Sequence, residues 1–230
     1  DRGKRKVGLR YDQTVPLARV ISQYPELPKP FKRYQIQPVW RAENTQKGRY
    51  REFLQCDADI IGDNFAPTAD AEILSLLWSI YNELGFKSFK LVVNSRNLLQ
   101  KKISQSFGNP IKIIDDQVFL KITRILDKKE KIGIDGVKQE LIRNGFPDNN
   151  IINLLQSLEI NSYKDLKSID SDFFYSLQMA IENFEVPENN IKIDPFMSRG
   201  LDYYTGLIVE GSDNSYKSSL VGGGRYDRLI

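Results

Sequence analysis

Two stretches near the N-terminus alternate apolar and polar side chains, and this alternation is the strongest constraint on how the chain can fold. Over Lys32 to Arg41, Tyr34, Ile36 and Trp40 fall on one side and Arg33, Gln35, Gln37 and Arg41 on the other. Over Arg51 to Ile61, Leu54, Cys56, Ala58 and Ile60 alternate with Phe53, Gln55, Asp57 and Asp59. A period of two belongs to extended strands, so the two stretches predict a hairpin with one apolar and one polar face. Such alternation suits a solvent-facing strand as well as a binding floor. The content of the polar face points to the floor: an aromatic ring stands in line with an amide and two carboxylates, and Arg41 lies just before the connecting segment. That segment, Ala42 to Tyr50, is too charged for a core and too long for a tight turn. It reads as a mobile loop offering Lys47 and Arg49, with Arg51 just beyond it, to phosphates.

Upstream, L-R-Y-D-Q-T-V-P at Leu9 to Pro16 offers a carboxylate, Asp12, and a hydroxyl, Thr14, suited to a substrate ammonium. The same residues also suit a helix N-cap entered through Pro16. Downstream, R-G-L-D-Y-Y-T-G at Arg199 to Gly206 and V-G-G-G-R-Y-D at Val221 to Asp227 set arginines beside tyrosines, together offering a cation for phosphate and phenols for a polar ring.

Between these motifs, a helix is expected at about Thr68 to Leu84 with Ile73, Leu76, Leu77, Ile80 and Leu84 as its core stripe. A strand at Phe89 to Val93 and a helix around Asn97 to Phe107 follow, the latter ended by Gly108-Asn109-Pro110. From about 111 to 186 the composition shifts to Lys, Asp, Asn, Leu and Ile, with breaks at Gly133, Gly136 and Gly145-Phe146-Pro147. This is expected to be a helical insertion domain between two parts of a core, 1–110 and 187–230. Its basic run Lys128, Lys129, Lys131 reads as a solvated helix end that a phosphate backbone could also use. Strand character returns at Ile191 to Ile193 and Leu207 to Glu210.

The 230 residues contain no histidine and one cysteine, Cys56, which excludes an internal disulfide, a thiolate metal cluster and any Ser-His or Cys-His relay. Carboxylates, arginines and tyrosines must therefore carry the chemistry, and no protein-bound metal is expected. A formal charge of +3 permits a nucleic-acid partner without demanding one. The longest apolar stretches, such as Ile73 to Trp78, are far too short to span a bilayer, and a reducing cytoplasmic setting is expected. Beginning amid D-R-G-K-R-K and ending just after a glycine turn, the chain reads as a piece of something longer.

In order along the chain, these segments resemble the catalytic domain of the histidyl-tRNA synthetases, class II aminoacyl-tRNA synthetases. L-R-Y-D-Q-T-V-P-L-A-R resembles their first histidine-binding loop, W-R-A-E-N-T-Q-K-G-R-Y-R-E-F-L-Q-C-D-A-D their motif 2, and the two arginine-tyrosine segments their histidine-specific signatures. The resemblance implies an α+β fold, an antiparallel sheet flanked by helices, and a homodimeric enzyme. It implies that L-histidine and ATP, with Mg2+, give histidyl-adenylate, whose histidyl group passes to the acceptor end of tRNA(His). Arg41 and Arg199 would be the catalytic cations on the α-phosphate. Glu43, Arg49 and Phe53 would join Arg41 in binding ATP, Phe53 by stacking on adenine. Asp12, Thr14 and Gln55 would hold the α-ammonium, with Gln13 contributing only backbone. Asp59, Tyr204 and Tyr226 would bond the imidazole, beside Tyr203. Asn44-Thr45 departs from the Arg-Pro of many members. Motif 1 is expected upstream, and motif 3 and an anticodon-binding domain downstream. The alternative is a non-catalytic, histidine-sensing regulatory relative on the same fold. Intact Arg41, Glu43, Arg199 and the tyrosine pair favour the enzyme.

Overall fold

A computed structural model describes residues 3, 6–46, 48–62, 66–108, 114–160, 162–216 and 218–229; Lys47, Asn109 and Pro110 thus lie outside the described residues. The chain divides into two compact units, residues 1–64 with 229–230, and residues 65–228.

Among the described residues the first unit contains one helix, α1 (Thr14–Gln23), and the expected hairpin of β1 (Phe31–Trp40) and β2 (Glu52–Ile61). Its antiparallel register runs from Phe31 opposite Ile61 to Trp40 opposite Glu52. Side chains directly across from one another share a face. The register therefore places Arg33 by Asp59, Gln35 by Asp57 and Gln37 by Gln55 on the polar face. The exposure of the two faces is the reverse of what apolar character suggests. Tyr34, Ile36 and Leu54 are exposed, while Arg33, Gln35, Gln55 and Asp59 are partly buried. In the connecting segment Gln46 and Arg49 exchange backbone hydrogen bonds at 3.2 and 2.8 Å around Gly48, whose φ of 81° is left-handed. The connection between the strands thus contains a short turn. The chain ahead of α1 joins the hairpin too: the Trp40 N–H donates to the Arg10 carbonyl at 2.9 Å.

The second unit is built on a four-stranded sheet, β3 (Lys90–Ser95), β4 (Ile191–Ile193), β5 (Leu207–Ser212) and β6 (Val221–Gly224), in the spatial order β4-β3-β5-β6. β3 and β4 are parallel, and the other pairs are antiparallel. Helices α2 (Ala66–Glu83), α3 (Arg96–Phe107), α4 (Asp116–Leu126), α5 (Lys129–Arg143), α6 (Asp148–Ser157) and α7 (Ser171–Glu182) flank it, with a 3-10 turn at Tyr163–Ser168. The alternation of β5 divides the interior into two cores. Ile208 joins Leu99, Phe119, Ile122, Leu141 and Leu154, while Leu207 and Val209 join Leu74, Leu91, Val93, Phe173 and Leu177. Helices from the middle of the chain thus share their cores with the strands on either side of them.

Three local expectations change. The buried face of α2 is Pro67, Asp70, Ala71 and Leu74, whereas Leu76, Ile80 and Leu84 of the expected stripe are 38%, 39% and 66% exposed. Gly133, with φ 69°, kinks α5, but Gly136 lies within the helix. Lys129 does not stand free in water: its Nζ sits 3.8 Å from the centre of the Phe196 ring, a cation over an aromatic face. Lys128 pairs with Glu140 at 2.5 Å.

Candidate functional site

In the first unit the polar groups converge on the hairpin. Arg41 follows β1, and its Nε donates to the Tyr11 carbonyl at 3.0 Å while Nη2 donates to Gln55 Oε1 at 2.8 Å. Its guanidinium carbon lies 5.2 Å from the Phe53 ring centre. The other end of the Gln55 amide donates to both oxygens of Asp57, at 2.8 and 2.9 Å. A cation, a ring, an amide and a carboxylate therefore stand in one connected row. Glu43 and Arg49 face each other across 3.9 Å on the exposed connection, a separation at which exposed charges attract only weakly.

At the start of α1, Asp12 Oδ1 accepts the Val15 N–H at 3.2 Å. This satisfies a free first-turn donor, so Asp12 serves the helix start whatever else it binds. Thr14 is the first helical residue. Gln13 is fully buried, and its side-chain Nε2 donates to the Gln55 carbonyl at 2.7 Å. Its own carbonyl accepts from Arg33 Nη2 at 3.2 Å. Asp59 is ion-paired with Arg33 at 2.9 Å, and burial pushes its carboxyl above the ordinary value against the pull of Arg33. Arg33 and Asp57 were given no role by the motifs. Both stand on the polar face that the alternation revealed, and the hairpin register supplies their partners.

In the second unit three tyrosines pack as a cluster. Tyr203 and Tyr204 lie 4.4 Å apart at 62°, Tyr204 and Tyr226 5.0 Å apart at 60°, and Tyr203 and Tyr226 6.0 Å apart and nearly parallel. Such offset and tilted arrangements suit ring quadrupoles. Tyr203 is 56% exposed and Tyr204 only 9%, so the pair presents one ring and buries the other. Burial, then the neighbouring Tyr226 and Tyr203, hold the Tyr204 phenol protonated far above its usual range. Two glycines make room for that ring: a Cβ on Gly200 would come within 2.3 Å of it and one on Gly224 within 2.6 Å. Gly200 also has φ 72°, which favours glycine.

The two arginines of these segments have different surroundings. Arg199 is 65% exposed and lies 3.3 Å from Glu210. Arg225 is instead drawn inward, bonded through Nη2 to Asp70 of α2, which also accepts from Ser176 Oγ at 2.8 Å. Of the two, Arg199 is thus the exposed cation, whereas Arg225 is committed to a buried carboxylate. Among the described residues no group of three or more Cys, Asp or Glu side chains could hold a metal ion, and no helix is long and apolar enough to cross a membrane.

The α+β fold, with its motif 2 hairpin and its arginine-tyrosine segments, is that of the class II aminoacyl-tRNA synthetases. The profile of the histidyl-tRNA synthetase family matches residues 1–230, and the chain belongs to that family. It is 42% identical over 241 residues to a histidine-tRNA ligase of Aeropyrum pernix, covering 98% of this chain and 52% of that one. A histidyl-tRNA synthetase crystal structure from a Nostoc species superposes with a TM-score of 0.79 at 28% identity, covering 95% of this chain and 53% of that one. A Bacillus halodurans structure described as an ATP phosphoribosyltransferase regulatory subunit/histidyl-tRNA synthetase gives 0.79 at 21% identity, over 100% of this chain and 60% of that one, a likeness of fold alone. The chain spans about half the length of the curated relatives it matches.

Proposed function

We propose that the protein activates L-histidine with ATP to histidyl-adenylate and transfers the histidyl group to the acceptor end of tRNA(His). The observation that carries this reading is the row on the hairpin in which Arg41 bonds Gln55 at 2.8 Å and lies 5.2 Å from the Phe53 ring. A guanidinium beside an aromatic ring suits a nucleotide, with phosphate on the cation and base on the ring. Carboxylate attack on the α-phosphorus builds charge on its oxygens, so catalysis consists of positioning and electrostatic stabilisation. Arg41 and Arg199 are assigned to that charge, and Phe53, Glu43 and Arg49 to the nucleotide. Asp12, Thr14, Gln55 and the Gln13 backbone are assigned to the α-amino end of histidine, and Asp59, Tyr204, Tyr226 and Tyr203 to its ring. ATP enters as its Mg2+ complex. The family resemblance also supports a homodimer working in the cytoplasm.

The test is histidine-dependent exchange of labelled pyrophosphate into ATP. The reading expects exchange with histidine and none with other amino acids, because a site that bonds both ring nitrogens rejects ligands lacking them by ~10⁴ or more. Histidine binding without exchange would instead identify a regulatory relative.

A further inference from the structure

The polar face of the hairpin holds one buried cation that the proposed reaction leaves unused. Arg33 stands directly opposite Asp59 in the register, and the two side chains are only 12% and 18% exposed. Its guanidinium is gripped from three segments. Nη2 lies 2.9 Å from Asp59 Oδ2 on β2 and donates to the Gln13 carbonyl at the start of α1, while Nη1 donates to Gln35 Oε1 on β1 itself. Gln13 is in turn fixed to β2 through the Gln55 carbonyl.

This cluster is incompletely satisfied. Four buried side-chain polar atoms among the described residues lack a hydrogen-bond partner, and three of them, Gln13 Oε1, Arg33 Nε and Asp59 Oδ2, lie here. The contact of Oδ2 with Arg33 is an ion pair whose direction is not that of a hydrogen bond. Buried polar groups are ordinarily paired, so unpaired ones gathered at one place mark a site arranged for something other than stability. A half-buried carboxylate is driven toward its neutral form, and Asp57 on the same strand pushes Asp59 the same way. Arg33 and Asp57 are the charged groups that face it, and Arg33 alone opposes that drift.

We propose that Arg33 is a positioning residue that keeps Asp59 ionised and holds its Oδ2, leaving Oδ1 to accept the N–H of the substrate ring. The inference rests on the assignment of Asp59 to the imidazole of histidine. A lysine could supply charge at this place but not the three-way fork.

The experiment measures kcat and KM for histidine and for ATP in pyrophosphate exchange across pH, in the wild type, Arg33→Gln, Arg33→Lys, Asp59→Asn and the double variant Arg33→Gln/Asp59→Asn. Loss of a cation this close shifts a carboxyl by roughly one unit or more, a factor of about ten. Arg33→Gln should therefore raise KM for histidine about tenfold on the acidic limb and leave KM for ATP and kcat within about twofold. The acidic limb of kcat/KM for histidine should move to higher pH. Arg33→Lys should retain the wild-type limb, Asp59→Asn should remove the carboxylate's part of it and leave that of the substrate imidazole, and Arg33→Gln should add little in the Asp59→Asn background. An unmoved limb, equal losses for histidine and ATP, or additive losses in the double variant would overturn the proposal. Should Arg33→Gln fail to fold, Arg33→Lys and Asp59→Asn decide: a limb that moves in the first or is unchanged in the second overturns it. A wild type that neither binds histidine nor exchanges pyrophosphate removes the histidine reading and this one together, whereas an active wild type with unmoved variants removes this one alone.

Discussion

Arg199 and Arg225 carry the same side chain in neighbouring signature segments, and their surroundings differ. Arg225 is 14% exposed against an Asp70 side chain at 9%, so removing it strands a buried carboxylate. Breaking such a pair costs about 3–5 kcal/mol. Arg225→Met is expected to lower the urea midpoint accordingly, and a midpoint shift worth under about 1 kcal/mol would show the pair to be dispensable. Arg199 is 65% exposed on Glu210, so its loss should cost stability at most about 1 kcal/mol. As the assigned cation on developing phosphate charge, Arg199→Ala should slow adenylate formation by roughly 10² or more with much less change in histidine affinity. An unchanged burst rate in pre-steady-state kinetics would sink that role. The motifs made Arg199 legible as a candidate, yet nothing in R-G-L-D-Y-Y or G-G-G-R-Y-D distinguishes an arginine for substrate from one for Asp70, 155 residues away. Asp59 carries a pH consequence of the same kind. Its folded carboxyl is raised, so between the ordinary value of about 4 and the raised one the native state binds more protons than the unfolded chain. Stability from this group is therefore lost as pH rises through that window. Asp59→Asn should flatten the dependence in urea unfolding at a series of pH values, and an identical profile in the variant would count against it.

At the scale of elements, a period of two proved more readable than a period of 3.6. The hairpin alternation located both strands because Arg33, Gln35 and Gln37 face Asp59, Asp57 and Gln55 across the ladder, and the short strand Ile191–Ile193 lies at its expected limits. Helix α2 was located but rotated in the reading. Its buried face includes Asp70, held by Arg225 and Ser176, and a stripe drawn through apolar residues alone excludes a buried carboxylate. Leu74, fully buried, and Leu84, 66% exposed, separate the two readings of the helix. Leu74→Ala should cost about 2–5 kcal/mol, the range for deleting a core leucine, and Leu84→Ala within about 0.5 kcal/mol. Denaturant unfolding of both variants checks this, and a costlier Leu84 would restore the expected stripe. The tyrosine cluster was legible only as a motif. That Tyr204 is buried beneath Tyr203 follows from the room left by Gly200 and Gly224, which the chain brings together over more than twenty residues.

At the scale of the molecule, the compositional shift near residues 111 and 186 marked the middle helices, but composition does not report which core a helix enters. Phe119, Ile122 and Leu141 pack with Ile208, and Phe173 and Leu177 with Leu91 and Val93, so the second unit keeps both cores within residues 65–228. The first unit is built differently. Its buried apolar side chains among the described residues are Ile21 and Val39, while Tyr34, Ile36 and Leu54 lie exposed on the hairpin. A two-stranded hairpin is at best marginally stable alone, and a unit of this size that buries so little cannot offset the entropy of ordering its chain. Residues 65–228 expressed alone should therefore unfold in one cooperative thermal transition, whereas residues 1–64 alone should show neither a cooperative transition nor dispersed amide resonances. Well-dispersed spectra from the isolated hairpin unit would mean that its polar network, anchored on Arg33, Gln13 and Gln55, contributes far more than its apolar burial does.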